Sequence, residues 1–494
     1  MKSASFLALL LLSPLARPTE AVKPNIVVIL ADDLGYGDVQ CYNPERGKIP
    51  TPNIDRLAAQ GMRFTDGHSS SGVCSPSRYA LLTGRYHWRT GQAGIVPLWG
   101  PPMIATERLT VPALLKRNGY RTAAVGKWHL GWEWPKENGK PVFDRALPGG
   151  PTTRGFDTYF GTDVPNWPPF CFIENDRTVG LPTTTLPEEL VGNNLASKQG
   201  PALPGWKLEG ILPALTDRAC AVIADAAKNP APFFLYLPLT SPHTPLSVNE
   251  AWKGKSGLGR FADLVMETDA TVGRVLEALD RAGVADNTLV LFTSDNGCAP
   301  YIGVPEMEAK GHFPSGPLRG YKSDAWEGGH RVAFIARWPG TVKAGAVCGA
   351  LVHQADVLAT CAEIVGAPLP DEAGEDSFSL LPLLRGVRET VRESAVSQSS
   401  GGTLALRRGD WKMIFGKGSG GWGKGAVETP GQLYHLKDDL AEKTNLYSEH
   451  PDIVAEMTAL MTKIITEGRS SPGKPQRNDA PVKDKFLPAV KPAA

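Results

Sequence analysis

Asn25-Ile26-Val27-Val28-Ile29-Leu30 is an unbroken, largely β-branched run, followed after Ala31 by two carboxylates, Asp32-Asp33. Such a run reads as a strand buried on both faces, as in a parallel sheet. Three later runs have the same form. Arg121 to Val125 leads to Lys127 and His129. Phe233 to Leu239, broken by Pro238, leads to His243. Thr288 to Thr293 leads to Asp295-Asn296. Helical stretches alternate with these strands. One is predicted at Ile54 to Gln60, with Pro52 near its start and Gly61 as its C-cap. Others are predicted at Val111 to Arg117, stopped by Asn118-Gly119, and at Leu264 to Ala282. This alternation predicts an α/β fold, a large mostly parallel sheet flanked by helices.

Near Leu384 the pattern changes. Short β-like pieces at Thr403 to Arg407, Trp411 to Phe415 and Gln432 to Leu436 surround a Gly-rich insertion, Gly416 to Gly425. A helix at Asp452 to Glu467 follows. These predict a small C-terminal antiparallel sheet with a helix packed on it. The expected division is a signal peptide at 1–21, an α/β domain at 22–390, a small β/α unit at 391–469 and a disordered, Pro- and Lys-rich tail at 470–494.

The N-terminus carries Lys2, an apolar run from Phe6 to Leu12 and a small-residue site at Thr19-Glu20-Ala21, the layout of an export signal. The run is too short to span a bilayer, which needs about 20 residues. A soluble periplasmic or secreted protein is expected. A chain of 494 residues with a net charge of +1 has no global basic field for nucleic acid and no acidic block. Its 53 Gly and 43 Pro suggest many loops on a regular scaffold. The cysteine count is seven, so one has no intramolecular partner, and none lies in a CxxC pair of the kind zinc favours.

Position makes the polar residues informative. In open α/β sheets ligands bind beyond the carboxyl ends of the strands. If the four strands are parallel neighbours, Asp32, Asp33, Lys127, His129, His243, Asp295 and Asn296 converge on one pocket. Taken singly, each has a plainer reading: Asp295-Asn296-Gly297 is also a good hairpin turn, and a lone histidine is often structural. Asp32, Asp33, Asp295 and Asn296 offer only oxygen donors, which suits a hard cation, Ca2+ more readily than Mg2+.

Cys74-Ser75-Pro76-Ser77-Arg78, followed by Tyr79-Ala80-Leu81-Leu82-Thr83-Gly84, resembles the signature of type I sulfatases. Gly119 to His129 (GYRTAAVGKWH) resembles the family's second signature. Asp32-Asp33, Ser241-Pro242-His243, Ser294-Asp295-Asn296-Gly297 and Leu318-Arg319-Gly320-Tyr321-Lys322 match further, in family order over about residues 23–450. The resemblance implies an alkaline-phosphatase-like scaffold and sulfate-ester hydrolysis. It also implies that an export-linked formylglycine-generating enzyme converts Cys74 to formylglycine. One hydroxyl of the hydrated aldehyde would attack sulfur, and the other would later expel sulfate.

By the same resemblance, Ca2+ on Asp32, Asp33, Asp295 and Asn296 would meet the oxygen carried by residue 74. Arg78 would keep the hydrate ionised. Lys127 and Lys322 would neutralise the sulfate, His243 would protonate the leaving alcohol and His129 would act as base. The chain departs from many relatives in the loop Phe160 to Trp167 and at Trp326, where some carry tyrosine. That loop continues to Phe170, and Asp163, Asn166 and Trp167 in it are candidate sugar contacts. They point to a sulfated carbohydrate, 6-O-sulfated galactose or N-acetylgalactosamine, with an aryl sulfate as surrogate. The alternatives are a phosphomonoester or phosphonate hydrolase on the same scaffold and a noncatalytic glycan-binding protein.

Overall fold

The run from Asn25 becomes the central strand of a ten-stranded sheet, Asn25–Ala31, buried at every residue. The structure is a computed structural model that describes residues 23–191 and 197–482. The expected export signal therefore lies outside the described residues. The central strand pairs in parallel with Thr288–Ser294 on one side and Phe233–Pro238 on the other. Phe233–Pro238 pairs in parallel with Arg121–Lys127, and that strand with Thr158–Thr162. The four strands singled out in the sequence are thus parallel neighbours, as the site argument required. Phe334–Arg337 runs antiparallel between Thr288–Ser294 and Met62–His68, with Ala346–His353 parallel to the latter at one edge, and the short strands Ile173–Glu174 and Arg177–Thr178 add antiparallel pairs beyond Thr158–Thr162 at the other.

Alternation along one strand feeds two cores. Val27 and Ile29 point into a layer with Leu215, Val272 and Leu276 from the helices Ile211–Ala226 and Arg260–Arg281. Ile26, Val28 and Leu30 point into the opposite layer, with Leu81, Leu115 and Leu358 from Cys74–Thr83, Val111–Arg117 and Asp356–Val365. A strand apolar at every position needs helices on both faces, and it has them.

The C-terminal strands Ser394–Gln398, Leu404–Arg408, Trp411–Ile414 and Gln432–His435 form a sequential antiparallel sheet. The helix Pro451–Thr466 covers it, burying Met457, Met461, Ile464 and Ile465 against Val396, Leu406 and Leu433. This sheet docks on the large one close to Cys74: Gln398 donates its amide to Ser70 O at 2.9 Å and accepts from Gly72 N at 3.1 Å. The expected tail needs correcting. Residues 470–482 are tied to the body, because polar side chains there meet buried charges: Ser470 Oγ donates to Asp376, Asn478 Oδ1 accepts from Arg89, and Asp479 pairs with Arg85. Residues 483–494 lie outside the described residues. All seven cysteines are unpaired.

Candidate active site

Parallel register builds the acidic floor. Ala31 stands beside Ser294, so the residues that follow each strand emerge side by side. Asp295 N donates to Ala31 O and Asp32 N to Ser241 O, both at 3.0 Å, which extends the ladder past the strand ends. Asp33 then turns into the left-handed region, with φ 65°, and donates its amide to Asp295 Oδ1 at 3.1 Å. Positive φ is uncommon for a non-glycine residue, and such strain tends to be kept at functional sites. Asn296 Nδ2 donates to Asp33 Oδ1 at 2.7 Å, while Asn296 Oδ1 is buried with no hydrogen-bond partner. Oxygen donors with one unsatisfied amide oxygen among them fit a hard cation.

Three cations face the three carboxylates. Lys127 Nζ donates to Asp32 Oδ2 at 2.8 Å, and Lys322 Nζ to Asp33 Oδ2 at 2.6 Å. Arg78 grips Asp295 Oδ2 through Nε at 3.0 Å and Nη2 at 2.7 Å, and its Nη1 donates to Lys127 O at 2.9 Å. Burial raises the Asp32 carboxyl, but Lys127, His243, Arg78 and Lys322 outweigh it and hold the group far below the usual carboxylate range. Burial, reinforced by Asp32, pushes Asp295 up to about 6.

Cys74 opens the fully buried helix Cys74–Thr83. A helix N-terminus presents free amides and a positive dipole end to an anion. Its Sγ lies 3.7 Å from Asp32 Oδ1 and 3.8 Å from Lys322 Nζ. Burial pushes the thiol up to about 12, so the unmodified side chain is a protonated thiol at neutral pH and a poor nucleophile.

Two histidines face this cluster. His243 Nδ1 donates to Thr244 O at 2.5 Å, leaving Nε2 3.6 Å from Asp33 Oδ2. Burial, against the pull of Asp32 and Asp33, lowers His243 to about 4. His129 has φ 51°, its Nε2 is 3.2 Å from Val96 O, and its Nδ1 has no hydrogen-bond partner. With Nε2–H donating to that carbonyl, Nδ1 carries a lone pair. Burial and the nearby Lys127 and Arg78 hold His129 well below its ordinary value, hence neutral.

Cys74, His129, His243 and Lys322 line one cavity of about 200 Å3. Asn166 and Trp167 also line it, the indole lying edge-on to His129 with centroids 5.5 Å apart. Asp163 does not. Its Oδ1 accepts from Trp132 Nε1 at 3.2 Å. The cavity also takes residues that the sequence reading did not name: Ile95, Tyr301, Ser400 and Trp422. Trp422 carried a usable signal, an indole within the Gly-rich insertion. Ser400 and Ile95 carried none, since docking of the small sheet and a loop path bring them there.

Residues 24–367 match the sulfatase family model. The chain is 36% identical to an N-acetylgalactosamine-6-O-sulfatase of Bacteroides thetaiotaomicron, over 90% of this chain and 93% of that protein. It is 36% identical to human arylsulfatase A, over 82% and 77% of the two chains. A solved structure from work on the metabolism of multiple glycosaminoglycans by the same Bacteroides superposes with a TM-score of 0.80 at 34% identity, covering 90% of this chain and 99% of that one.

Proposed function

The chain belongs to the sulfatase family and is a hydrolase of sulfate esters, and on that premise we propose that it releases sulfate from a sulfated carbohydrate with an aldehyde made from Cys74. The observation that carries this reading is the position of Cys74 Sγ, at a helix N-terminus and within 4 Å of both Asp32 and Lys322. Oxidised by a formylglycine-generating enzyme and hydrated, residue 74 would supply the nucleophilic hydroxyl that a buried thiol does not. Asp32, Asp33, Asp295 and Asn296 would hold Ca2+, which supplies Lewis acidity toward the sulfuryl oxygens and lowers the pKa of a nearby hydroxyl.

The protein's own groups account for the remaining needs. Lys127 and Lys322 sit where negative charge gathers on the departing sulfate and are fixed in place by Asp32 and Asp33. Arg78 locks Asp295 and the end of the Lys127 strand. His243 Nε2 faces the cavity and gives the leaving alcohol its proton; a bound sulfate ester, being an anion, favours the protonated ring over the empty cavity. His129 Nδ1, with its lone pair free, takes a proton from residue 74 as sulfate leaves.

For substrate we infer 6-O-sulfated N-acetylgalactosamine or galactose. Asn166 and Trp167 on the cavity wall suit a sugar ring, and several relatives are N-acetylgalactosamine-6-sulfatases, among them the human protein at 32% identity. Aryl sulfates serve as surrogates. No helix among the described residues is long and apolar enough to cross a membrane, and the signal-like N-terminus points to a periplasmic or secreted location.

The test measures sulfate release from sulfated sugars, aryl sulfates and phosphate esters. The wild type is coexpressed with a formylglycine-generating enzyme. Cys74→Ala is expected to lose at least about 10^3-fold in kcat, and chelation of Ca2+ to abolish release. Release of phosphate in place of sulfate, or full activity in Cys74→Ala, would overturn the reading.

A further inference from the structure

Tyr301 and Trp422 are the two aromatic side chains among the exposed large hydrophobic residues of the described chain, at 41% and 49% exposure. They stand together, with ring centroids 5.9 Å apart and planes inclined by 47°. Both line the cavity that holds Cys74 and Lys322. Trp167, on the same cavity, is by contrast buried. An indole left half in water forgoes the burial that usually repays such a side chain. Two half-exposed aromatic rings, a phenol and an indole, side by side at the mouth of this cavity call for a ligand.

The loop that carries Trp422 is held in place. A Cβ at Gly421 would come within 2.2 Å of Ser323 O, and one at Gly423 within 2.6 Å of Asp324 Oδ2 and the Trp326 ring. Only glycines let the loop lie this close to the segment after Lys322. Gly423 N donates to Asp324 Oδ1 at 2.7 Å, and Ala325 N to Ser419 O at 2.8 Å. Trp422 is therefore presented by a clamped backbone, so binding against it costs little ordering entropy.

We propose that Tyr301 and Trp422 form a stacking platform for the sugar unit next to the sulfated one, so that the preferred substrate is an oligosaccharide and not a lone sulfated monosaccharide. This rests on the sulfated-carbohydrate reading above. A pyranose offers a flat C–H face to aromatic rings and keeps its hydroxyls in water, which matches two inclined rings open to solvent. The inner wall, with Asn166 and Trp167, is left for the sulfated unit. The platform joins the α/β body to the small C-terminal unit: Tyr301 follows the Asp295 strand and Trp422 belongs to that unit.

The experiment compares kcat/KM for a 6-O-sulfated N-acetylgalactosamine monosaccharide and for an oligosaccharide ending in the same unit, with 4-nitrophenyl sulfate alongside. In wild type the oligosaccharide is expected to be preferred by about tenfold or more. In Trp422→Ala and Tyr301→Ala that preference falls toward one, mainly through KM, and Trp422→Phe keeps most of it. Quenching of tryptophan fluorescence by the unsulfated oligosaccharide is expected in wild type and lost in Trp422→Phe. An unchanged preference in both alanine variants, or none in wild type while the monosaccharide is turned over, overturns the platform and leaves the carbohydrate reading standing. Turnover of 4-nitrophenyl sulfate with no glycan turned over overturns both.

Discussion

Arg78 shows what a single side chain does here. It is fully buried and holds one carboxylate oxygen of Asp295 through two nitrogens while a third nitrogen holds the Lys127 carbonyl. A lysine has the charge but not the planar fork, so it satisfies one of these contacts at most. Arg78→Lys is expected to lower kcat/KM by at least about 100-fold. It also leaves the buried Asp295 poorly matched, and breaking a buried pair costs about 3–5 kcal/mol. Steady-state kinetics and a thermal melt read both effects. A variant with near wild-type kcat/KM would show that the fork positions nothing that the reaction needs.

At the scale of elements, helix packing is locked by polar contacts. The N-terminal helix Pro52–Ala59 has Thr51 at its N-cap, but that side chain caps nothing. Asp269, from the helix Arg260–Arg281, caps it instead, accepting from Asn53 N at 3.0 Å and Ile54 N at 2.8 Å. Asp269→Ala leaves those amides unsatisfied inside the protein and is expected to cost about 1–3 kcal/mol. A lower urea midpoint with an unchanged slope is the expected result; no shift would mean that water replaces the carboxylate. The element boundaries carry a related lesson. Strands with a continuous apolar run were legible from sequence, whereas Met62–His68 and Ala346–His353 were not. Each holds a glycine and polar residues, and the second has an irregular register between Cys348 and Leu351. Their pairing is set by neighbours far along the chain.

For the molecule as a whole, two outcomes are expected. Deleting residues 470–494 removes the partners that Asp376, Arg89 and Arg85 find in the C-terminal segment, so the melting temperature falls by about 1–2 °C, the effect of about 1–2 kcal/mol in a chain of this length. A disordered tail would be removed without effect. Acid is the second. Burial lowers His87 from 6.5 to about 3, and it also lowers His68, His330 and His353. The unfolded chain takes up these protons before the folded one does, so the contribution is complete above about pH 6.5 and is lost as pH falls toward 3. For His87 alone this amounts to at most about 5 kcal/mol, at about 1.4 kcal/mol per pH unit. Melts between pH 8 and 4.5 are expected to show the midpoint dropping below about pH 6.5, and His87→Gln to flatten part of that slope. A flat profile would mean that these rings are already charged in the fold.

The sequence by itself determined where the central strands lie and which side chains stand at their carboxyl ends: carboxylates after Ala31 and Ser294, Lys127 and His129 at the end of a third strand, His243 after a fourth. Those features are local, written in apolar runs and the residues that break them. It also held the segment around Cys74, the proposed nucleophile, which resembles a known signature over consecutive residues. Only the tertiary structure decided the cavity wall. It turned Asp163 inward to Trp132, kept Asn166 and Trp167 on the cavity, and brought Ser400 and Trp422 there from a unit more than 300 residues after Cys74. The reason is physical: a strand end is fixed by its own residues, but the direction a loop side chain faces is fixed by what packs behind it.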